Sequence, residues 1–363
     1  MNRIKKMERK INFNAGPATL PASVLEQVAA ATLSYEGTGM SILELPHRSK
    51  AFDSIIEESK QLARELCGID SSYEVVWLHG GGRQQFCMVP ANFLPQGGTA
   101  AYIDSGYWAH EAMEYAQYYG SPHIVATSAP EQYTCLPQWP EAIPDNAAYL
   151  HLTTNNTIYG TQWHHIPPTT APLIADMSSD ILSRKHDYSR YALFYAAAQK
   201  NLGTPGVALA VIHKDLLKSA NATLPPLLSY AAQVQQNSIV NTANVSGIYT
   251  SLLMLRWIKN RGIDVIEAEN KNKAELLYSV LDNSTLFTAR VRETTHRSLM
   301  NVCFTATSKQ HEAALLALCS ENNITGLEGH RHTGGFRVSL YNAMPLHHVA
   351  LLAELMQAYE RSI

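Results

Sequence analysis

Tyr195-Ala196-Ala197-Ala198-Gln199-Lys200-Asn201-Leu202-Gly203-Thr204-Pro205-Gly206 closes an apolar run with a lysine and then turns through glycine and proline. The preceding Leu193-Phe194-Tyr195-Ala196 reads as a buried strand, so the segment is a strand end feeding a tight loop. A lysine placed there faces a cleft, where partial desolvation lowers its pKa toward the range in which the amine is nucleophilic. Read alone, Lys200 is an ordinary surface lysine, and its meaning depends on what the rest of the chain brings to it.

Working outward, Pro172-Leu173-Ile174-Ala175-Asp176-Met177-Ser178-Ser179 is a second apolar run, and this one ends on an acid. Glu74–His79, Ala100–Asp104, Ala147–Leu152 and Val207–Ile212 read as further short strands. An amphipathic helix is expected after Pro21-Ala22-Ser23, with Val24, Leu25, Val28 and Leu33, and another from Ala51 to Leu66 on Phe52, Ile55, Ile56, Leu62 and Leu66. Short apolar strands alternating with helices predict an α/β fold with a mainly parallel central sheet covered on both faces. Functional residues then collect at strand ends and in the loops that follow them. From Ile248 to Leu281 the pattern is helical and broken near Arg261-Gly262, and the charged Glu267–Glu275 stretch suggests a long exposed connecting helix. Met300–Phe304, a helix around His311–Glu321, a strand-like Gly335–Leu340 and a last helix Leu346–Glu360 suit a small α+β C-terminal domain. The expected division is an N-terminal arm (1–21), a large domain (22–265) and a small domain (266–363).

Composition narrows the class. With 46% hydrophobic and 16% charged residues the chain can bury a substantial core and lies far from the disordered range. A net charge of −3 gives no basic footprint for nucleic acid, so anionic small molecules must be met by local arginines. Cys67, Cys87, Cys135, Cys303 and Cys319 show no CxxC spacing, which argues against a disulfide framework or a zinc site and favours a reducing cytoplasm. The basic opening Met1–Lys10 reads as a solvated tail, and no stretch is apolar for the ~20 residues a bilayer span needs. No metal site and no membrane partner are expected.

Lys200 and Asp176 together suggest pyridoxal phosphate, whose chemistry needs a lysine to hold its aldehyde and a carboxylate to keep its ring nitrogen protonated. His79-Gly80-Gly81-Gly82-Arg83-Gln84-Gln85-Phe86 follows a strand and precedes a helical stretch. Its glycines let the backbone approach an anion, and the helix start offers free N–H groups. A glycine triplet by itself is also a plain loop, and this one fits neither the P-loop nor the dinucleotide fingerprint.

With these segments, Asn12-Phe13, Gly16-Pro17-Ala18, Pro46-His47-Arg48, Asp104-Ser105-Gly106-Tyr107-Trp108, Gly329-His330-Arg331 and Tyr341-Asn342-Ala343-Met344-Pro345 complete a pattern running nearly the whole chain. The sequence resembles the phosphoserine aminotransferases, pyridoxal-phosphate-dependent transferases of fold type I in the class-V aminotransferase group. The resemblance implies a homodimer with shared active sites and amino transfer between L-glutamate and 3-phosphohydroxypyruvate, giving O-phospho-L-serine and 2-oxoglutarate in a ping-pong cycle. That activity serves serine biosynthesis, and a related phosphorylated hydroxythreonine of pyridoxine synthesis fits as well. Lys200 would form the Schiff base and shuttle the proton; Asp176 would pair with the pyridinium nitrogen; Trp108 would stack on the ring, although a core tryptophan is the plainer reading of it alone.

Gly82, Arg83 and Gln199 would hold the cofactor phosphate, joined by Asn241 and Thr242 from the neighbouring subunit, and Thr157 would touch the cofactor near its phenolic oxygen. Arg337 would clamp the α-carboxylate, and His47-Arg48 and His330-Arg331 would receive the substrate phosphate or the γ-carboxylate of glutamate. Each His-Arg pair on its own is also an exposed dipeptide. The chain departs from the family at Ala15, commonly serine, at Gln84, at Asn156, commonly glutamate, at Thr204-Pro205 and at Ala243-Asn244. None of these removes an essential group, but they leave open a divergent class-V aminotransferase for another small amino acid.

Overall fold

The computed structural model describes residues 9–363; most of the basic opening segment, residues 1–8, lies outside the described residues. Its centre is a seven-stranded sheet. In chain order the strands are β1 (Tyr73–His79), β2 (Thr99–Asp104), β3 (Ser121–Thr127), β4 (Ala147–Thr153), β5 (Leu173–Asp176), β6 (Leu193–Ala197) and β7 (Val207–His213). They lie side by side as β1-β7-β6-β5-β4-β2-β3. Only β7 runs antiparallel to its neighbours, pairing with β1 and β6. The C-terminal ends of β5 and β6 therefore point the same way, with Asp176 in register with Tyr195. Asp176 and the Lys200 turn thus emerge at one edge of the sheet.

Helices cover both faces. α1 (Ala22–Leu33) and α2 (Lys50–Cys67) come first; α3 (Gly82–Phe93) and α4 (Tyr107–Ala116) follow β1 and β2. In α2 the Ser49 side chain accepts from Phe52 N at the start, and Gly68 closes the helix in the left-handed conformation (φ 61°). The buried Phe52, Ile55, Ile56, Ser59 and Leu62 recur at helical spacing and pack on the sheet with Leu252 and Leu255 of α5 (Val245–Arg261). Phe86, Met88 and Val89 of α3 cover the opposite face, against Tyr102 and Tyr195.

A second core gathers around the three strands β8 (Phe287–Ala289), β9 (Asn301–Ala306) and β10 (Phe336–Ser339). It is filled by Leu277 and Leu281 of α6 (Ile263–Asn283), Leu315 of α7 (Lys309–Glu321) and Val349, Leu352 and Met356 of α8 (Leu346–Arg361). Ile11–Asn12 pair with Ile324–Thr325, so the N-terminal arm is tied to this core. Asn201 Oδ1 accepts from Asn342 N, and Asn270 donates to Asn342 Oδ1, stitching the Lys200 turn to the second core.

The expected α/β architecture is present, with three local differences. β3 was not read as a strand: it is the sheet edge, its residues are largely exposed, and Pro122 and His123 interrupt the apolar pattern. On α1 only Val24 and Ala31 are buried, while Leu25 and Leu33 face outward. The charged part of α6 is not simply exposed, because Asn270 and Lys273 turn inward and Lys273 Nζ donates to the carbonyls of Leu340 and Tyr341. No helix among the described residues is long and apolar enough to cross a membrane.

Candidate active site

Lys200 sits just past β6, where Ala198 N donates to Val207 O and Leu202 N donates to Ala198 O, so the turn is held from both sides. The arm closes over it. Ala18 N donates to Gln199 O, and Gly16 (φ 152°) comes so close that a Cβ there would lie 3.3 Å from Gln199 Cγ and 3.9 Å from Lys200 Cγ. Burial lowers the lysine's pKa; Asp176 opposes that shift and Arg337 adds to it. The lysine, the acid and the arginine therefore share one electrostatic neighbourhood.

Asp176 is buried, with Oδ1 accepting from Ser178 N at 2.8 Å. Its Oδ2 faces Gly82, where an added Cβ would lie 3.8 Å from Oδ2 and 3.7 Å from Ser178 Oγ. Gly82 opens α3, whose N-cap, Gly81, supplies no side-chain cap. The first backbone N–H groups of a twelve-residue helix are thus left for an outside acceptor, with the dipole favouring an anion. Gln199 Oε1, next to Lys200 in sequence, is buried without a hydrogen-bond partner among the described residues.

Trp108, on α4, donates through Nε1 to Thr157 Oγ1 at 3.1 Å. The Arg83 guanidinium lies 5.2 Å from the Trp108 ring and makes a bidentate pair with Glu111, Nε donating to both oxygens at 3.0 and 3.1 Å. Tyr107 packs edge-on against Trp108 and touches the loop that carries His330. Arg337, on β10, is only partly exposed, and its guanidinium has no hydrogen-bond or ion-pair partner among the described residues. His330 is held down to about 4 by burial and by the positive charges of Arg337 and Arg331 and the neighbouring His332.

The structure therefore brings Lys200, Gln199, Asp176, Gly82, Arg83, Trp108, Thr157, Arg337 and His330 into one connected neighbourhood, with Arg331 on the adjoining loop. It places His47 elsewhere, in a cleft of about 380 Å³ that also contains Thr242, with Arg48 and Asn241 beside them in sequence. A cleft of about 1320 Å³ opens at the other ends of the strands, lined by Leu173, Ala192 and His213, away from this chemistry. Sequence reading missed Glu111, Tyr107 and His332. Glu111 follows Trp108 by one helical turn, the spacing that puts both on one side of α4, and His332 is the second ring in a His-Arg-His run. No group of three or more His, Cys, Asp or Glu suited to a metal ion occurs among the described residues.

The donor set fits pyridoxal phosphate: an amine with lowered pKa, a buried carboxylate with one free oxygen across a glycine-lined gap, an uncapped helix start for a phosphate, and an indole face. Residues 11–352 match the family described as Aminotransferase class-V. A phosphoserine aminotransferase of Bacillus cereus is 44% identical over 98% of this chain and 99% of its own length. The solved structure of phosphoserine aminotransferase from Bacillus circulans subsp. alkalophilus superposes with a TM-score of 0.94 at 40% identity, covering 98% of this chain and 99% of that one. A PLP-bound phosphoserine aminotransferase from Trichomonas vaginalis gives a TM-score of 0.91 at 30% identity over 96% of this chain and 100% of that one. The chain belongs to the phosphoserine aminotransferases of the class-V aminotransferase family and is a pyridoxal-phosphate-dependent transaminase.

Proposed function

We propose that the enzyme moves an amino group between L-glutamate and 3-phosphohydroxypyruvate, yielding O-phospho-L-serine and 2-oxoglutarate, in the cytoplasm and as a homodimer. The observation that carries this reading is Arg337: a partly buried guanidinium without a protein partner, felt electrostatically at both Lys200 and His330. A desolvated cation without a counterion is costly, so it is suited to a substrate carboxylate held in fork geometry.

The bound cofactor supplies an electron sink for the pair of electrons left when the substrate Cα loses its proton. The chain's own groups do the rest. Lys200 Nζ, with its pKa lowered by burial, takes and returns the Cα proton. Asp176 Oδ2 would hold the proton at the ring nitrogen, and Gly82, Arg83 and Gln199 would hold the cofactor phosphate at the uncapped start of α3. Trp108 would cover the ring, Thr157, which accepts from the indole Nε1, would reach the phenolic oxygen, and the arm at Gly16 keeps water from Lys200. Arg337 fixes the α-carboxylate common to both substrates, and His330 with Arg331 receives the phosphoryl group or the γ-carboxylate.

His47, Arg48, Asn241 and Thr242 have a role only if their cleft faces the partner's site. That arrangement is supported by the exposed apolar side chains nearby, Leu33 (84% exposed), Met40 (42%) and Leu43 (66%). The first core reaches Ile266 and the second, apart from Ile11 and Phe13 of the arm, begins at Ala274, which supports a change of domain within α6, close to the expected boundary between residues 22–265 and 266–363. The test is amino transfer to 2-oxoglutarate from O-phospho-L-serine and from L-serine. Phosphoserine should have a kcat/KM higher by about 100-fold, roughly two charge-assisted hydrogen bonds; equal values would contradict the reading.

A further inference from the structure

The loop from Gly329 to Gly335 is closed at its base, where Gly329 N donates to Gly335 O at 2.8 Å. Side chains are excluded there: a Cβ on Gly329 would meet Gly334 O, and one on Gly335 (φ 63°) would lie 2.5 Å from Phe304 O. Thr333 N and Gly334 N both donate to His330 O, so the loop turns back at once and presents His330, Arg331 and His332 together. His332 is solvent-exposed, yet its ring is ordered by two stacks: on Tyr107 (centroids 5.0 Å apart, planes at 27°) and on His330 (5.0 Å, 28°). Tyr107 in turn packs edge-on against Trp108 at 5.0 Å. A continuous path of rings thus runs from the loop to the residue that covers the cofactor. His330 Nδ1 accepts from His332 N at 3.4 Å, and neither His330 Nε2 nor the ring nitrogens of His332 have a hydrogen-bond partner among the described residues.

We propose that His332 is a specificity-determining residue: stacked on Tyr107, it holds the loop at the site and gives the phosphoryl group of a phosphorylated amino acid a nitrogen donor beside those of His330 and Arg331. This rests on the phosphorylated-substrate reading above and deepens it. A phosphoryl group offers three terminal oxygens and a γ-carboxylate only two. An additional donor at His332 is therefore used more fully by the phosphoryl group than by the carboxylate. The same residue thereby separates the two half-reactions of one site, discriminating by the donor count rather than by shape.

The experiment measures KM and kcat of the holoenzyme with O-phospho-L-serine and with L-glutamate, for wild type, His332→Phe and His332→Gln. Phenylalanine keeps the stack on Tyr107 and removes the nitrogens; glutamine restores an N–H donor. The Phe variant should raise the KM for phosphoserine about tenfold, the loss of one charge-assisted hydrogen bond. The KM for glutamate should change by about twofold at most, and the Gln variant should recover part of the loss. An unchanged phosphoserine KM in the Phe variant, or an equal rise for both substrates, overturns the role of His332 while wild-type turnover of phosphoserine still upholds the phosphorylated-substrate reading. A wild-type enzyme indifferent to phosphoserine overturns that reading and, with it, this proposal.

Discussion

The indole Nε1 of Trp108 donates to the hydroxyl of Thr157 at 3.1 Å, joining the start of α4 to the loop beyond β4. Two residues singled out separately in the sequence act as one unit: the hydrogen bond fixes the plane of the ring and the direction of the hydroxyl together. Thr157→Val keeps the shape and removes the acceptor, which costs about 1 kcal/mol of ordering. Cofactor affinity, read by equilibrium dialysis, should fall about fivefold. Trp108→Phe should cost more, through lost ring area, and the double variant should lose less than the sum.

Gly82→Ala tests the cofactor gap. The added Cβ would make only ordinary contacts, 3.7 Å to Ser178 Oγ and 3.8 Å to Asp176 Oδ2, and alanine suits a helix start at least as well as glycine. The protein should keep its thermal midpoint within a few degrees while cofactor affinity drops at least about tenfold, because the methyl group stands above the carboxylate. Undiminished affinity would mean that the cofactor does not lie between Gly82 and Asp176.

Arg337→Lys and Arg331→Ala should separate the two ends of the substrate. Lysine retains the charge of Arg337 but not the fork, so KM should rise about tenfold for glutamate and phosphoserine alike. Arg331→Ala should weaken phosphorylated substrates far more than serine or alanine. Steady-state kinetics on a panel of amino donors reads both effects.

His151 lies behind the site, buried, with Nε2 3.0 Å from the Tyr195 hydroxyl and Nδ1 without a partner. Burial holds its pKa down to about 3, against 6.5 for the free imidazole. Between those values the unfolded chain binds the extra proton. The contribution is fully present above pH 6.5 and is lost as pH falls toward 3. Acidification from 6.5 to 5 should therefore cost about 2 kcal/mol from this group, at about 1.4 kcal/mol per pH unit. Urea midpoints for His151→Gln should be lower at pH 7 and depend less on acid.

Mixing inactive chains tests the dimer. Lys200→Ala lacks the amine, and an Asn241→Ala, Thr242→Ala chain lacks Thr242, which lines the cleft with His47, and its neighbour in sequence. If the sites are shared, refolding the two chains together restores activity that neither has alone. No recovery from mixed dimers would confine each site to one chain.

Much of the fold was legible because its strands are buried on both faces and so read as unbroken apolar runs, as in Leu173–Asp176, while the helix break at Gly262 (φ 84°) was marked by its glycine. Edge strand β3 was not, since an exposed strand has no such pattern. Lys200 and Gly82, which follow strands, and Asp176, which ends one, stand where the sequence pattern places strand ends. Glu111, Tyr107 and His332 were not legible: their meaning lies in contacts with Arg83, Trp108 and His330, made across loops that no local spacing reveals. The outward leucines of α1 were not legible either, because Leu25 and Leu33 carry the same apolar signal as the buried Val24 while standing exposed.

The decisive measurement is the absorption spectrum of the purified holoenzyme during titration with O-phospho-L-serine, L-glutamate and L-serine. Conversion of the visible cofactor band by phosphoserine and glutamate, but not by serine at the same concentration, is the expected result, and the band should be missing in Lys200→Ala. A band that serine shifts as readily as phosphoserine, or that survives in Lys200→Ala, would contradict the assignment of Lys200 and of the phosphorylated substrate.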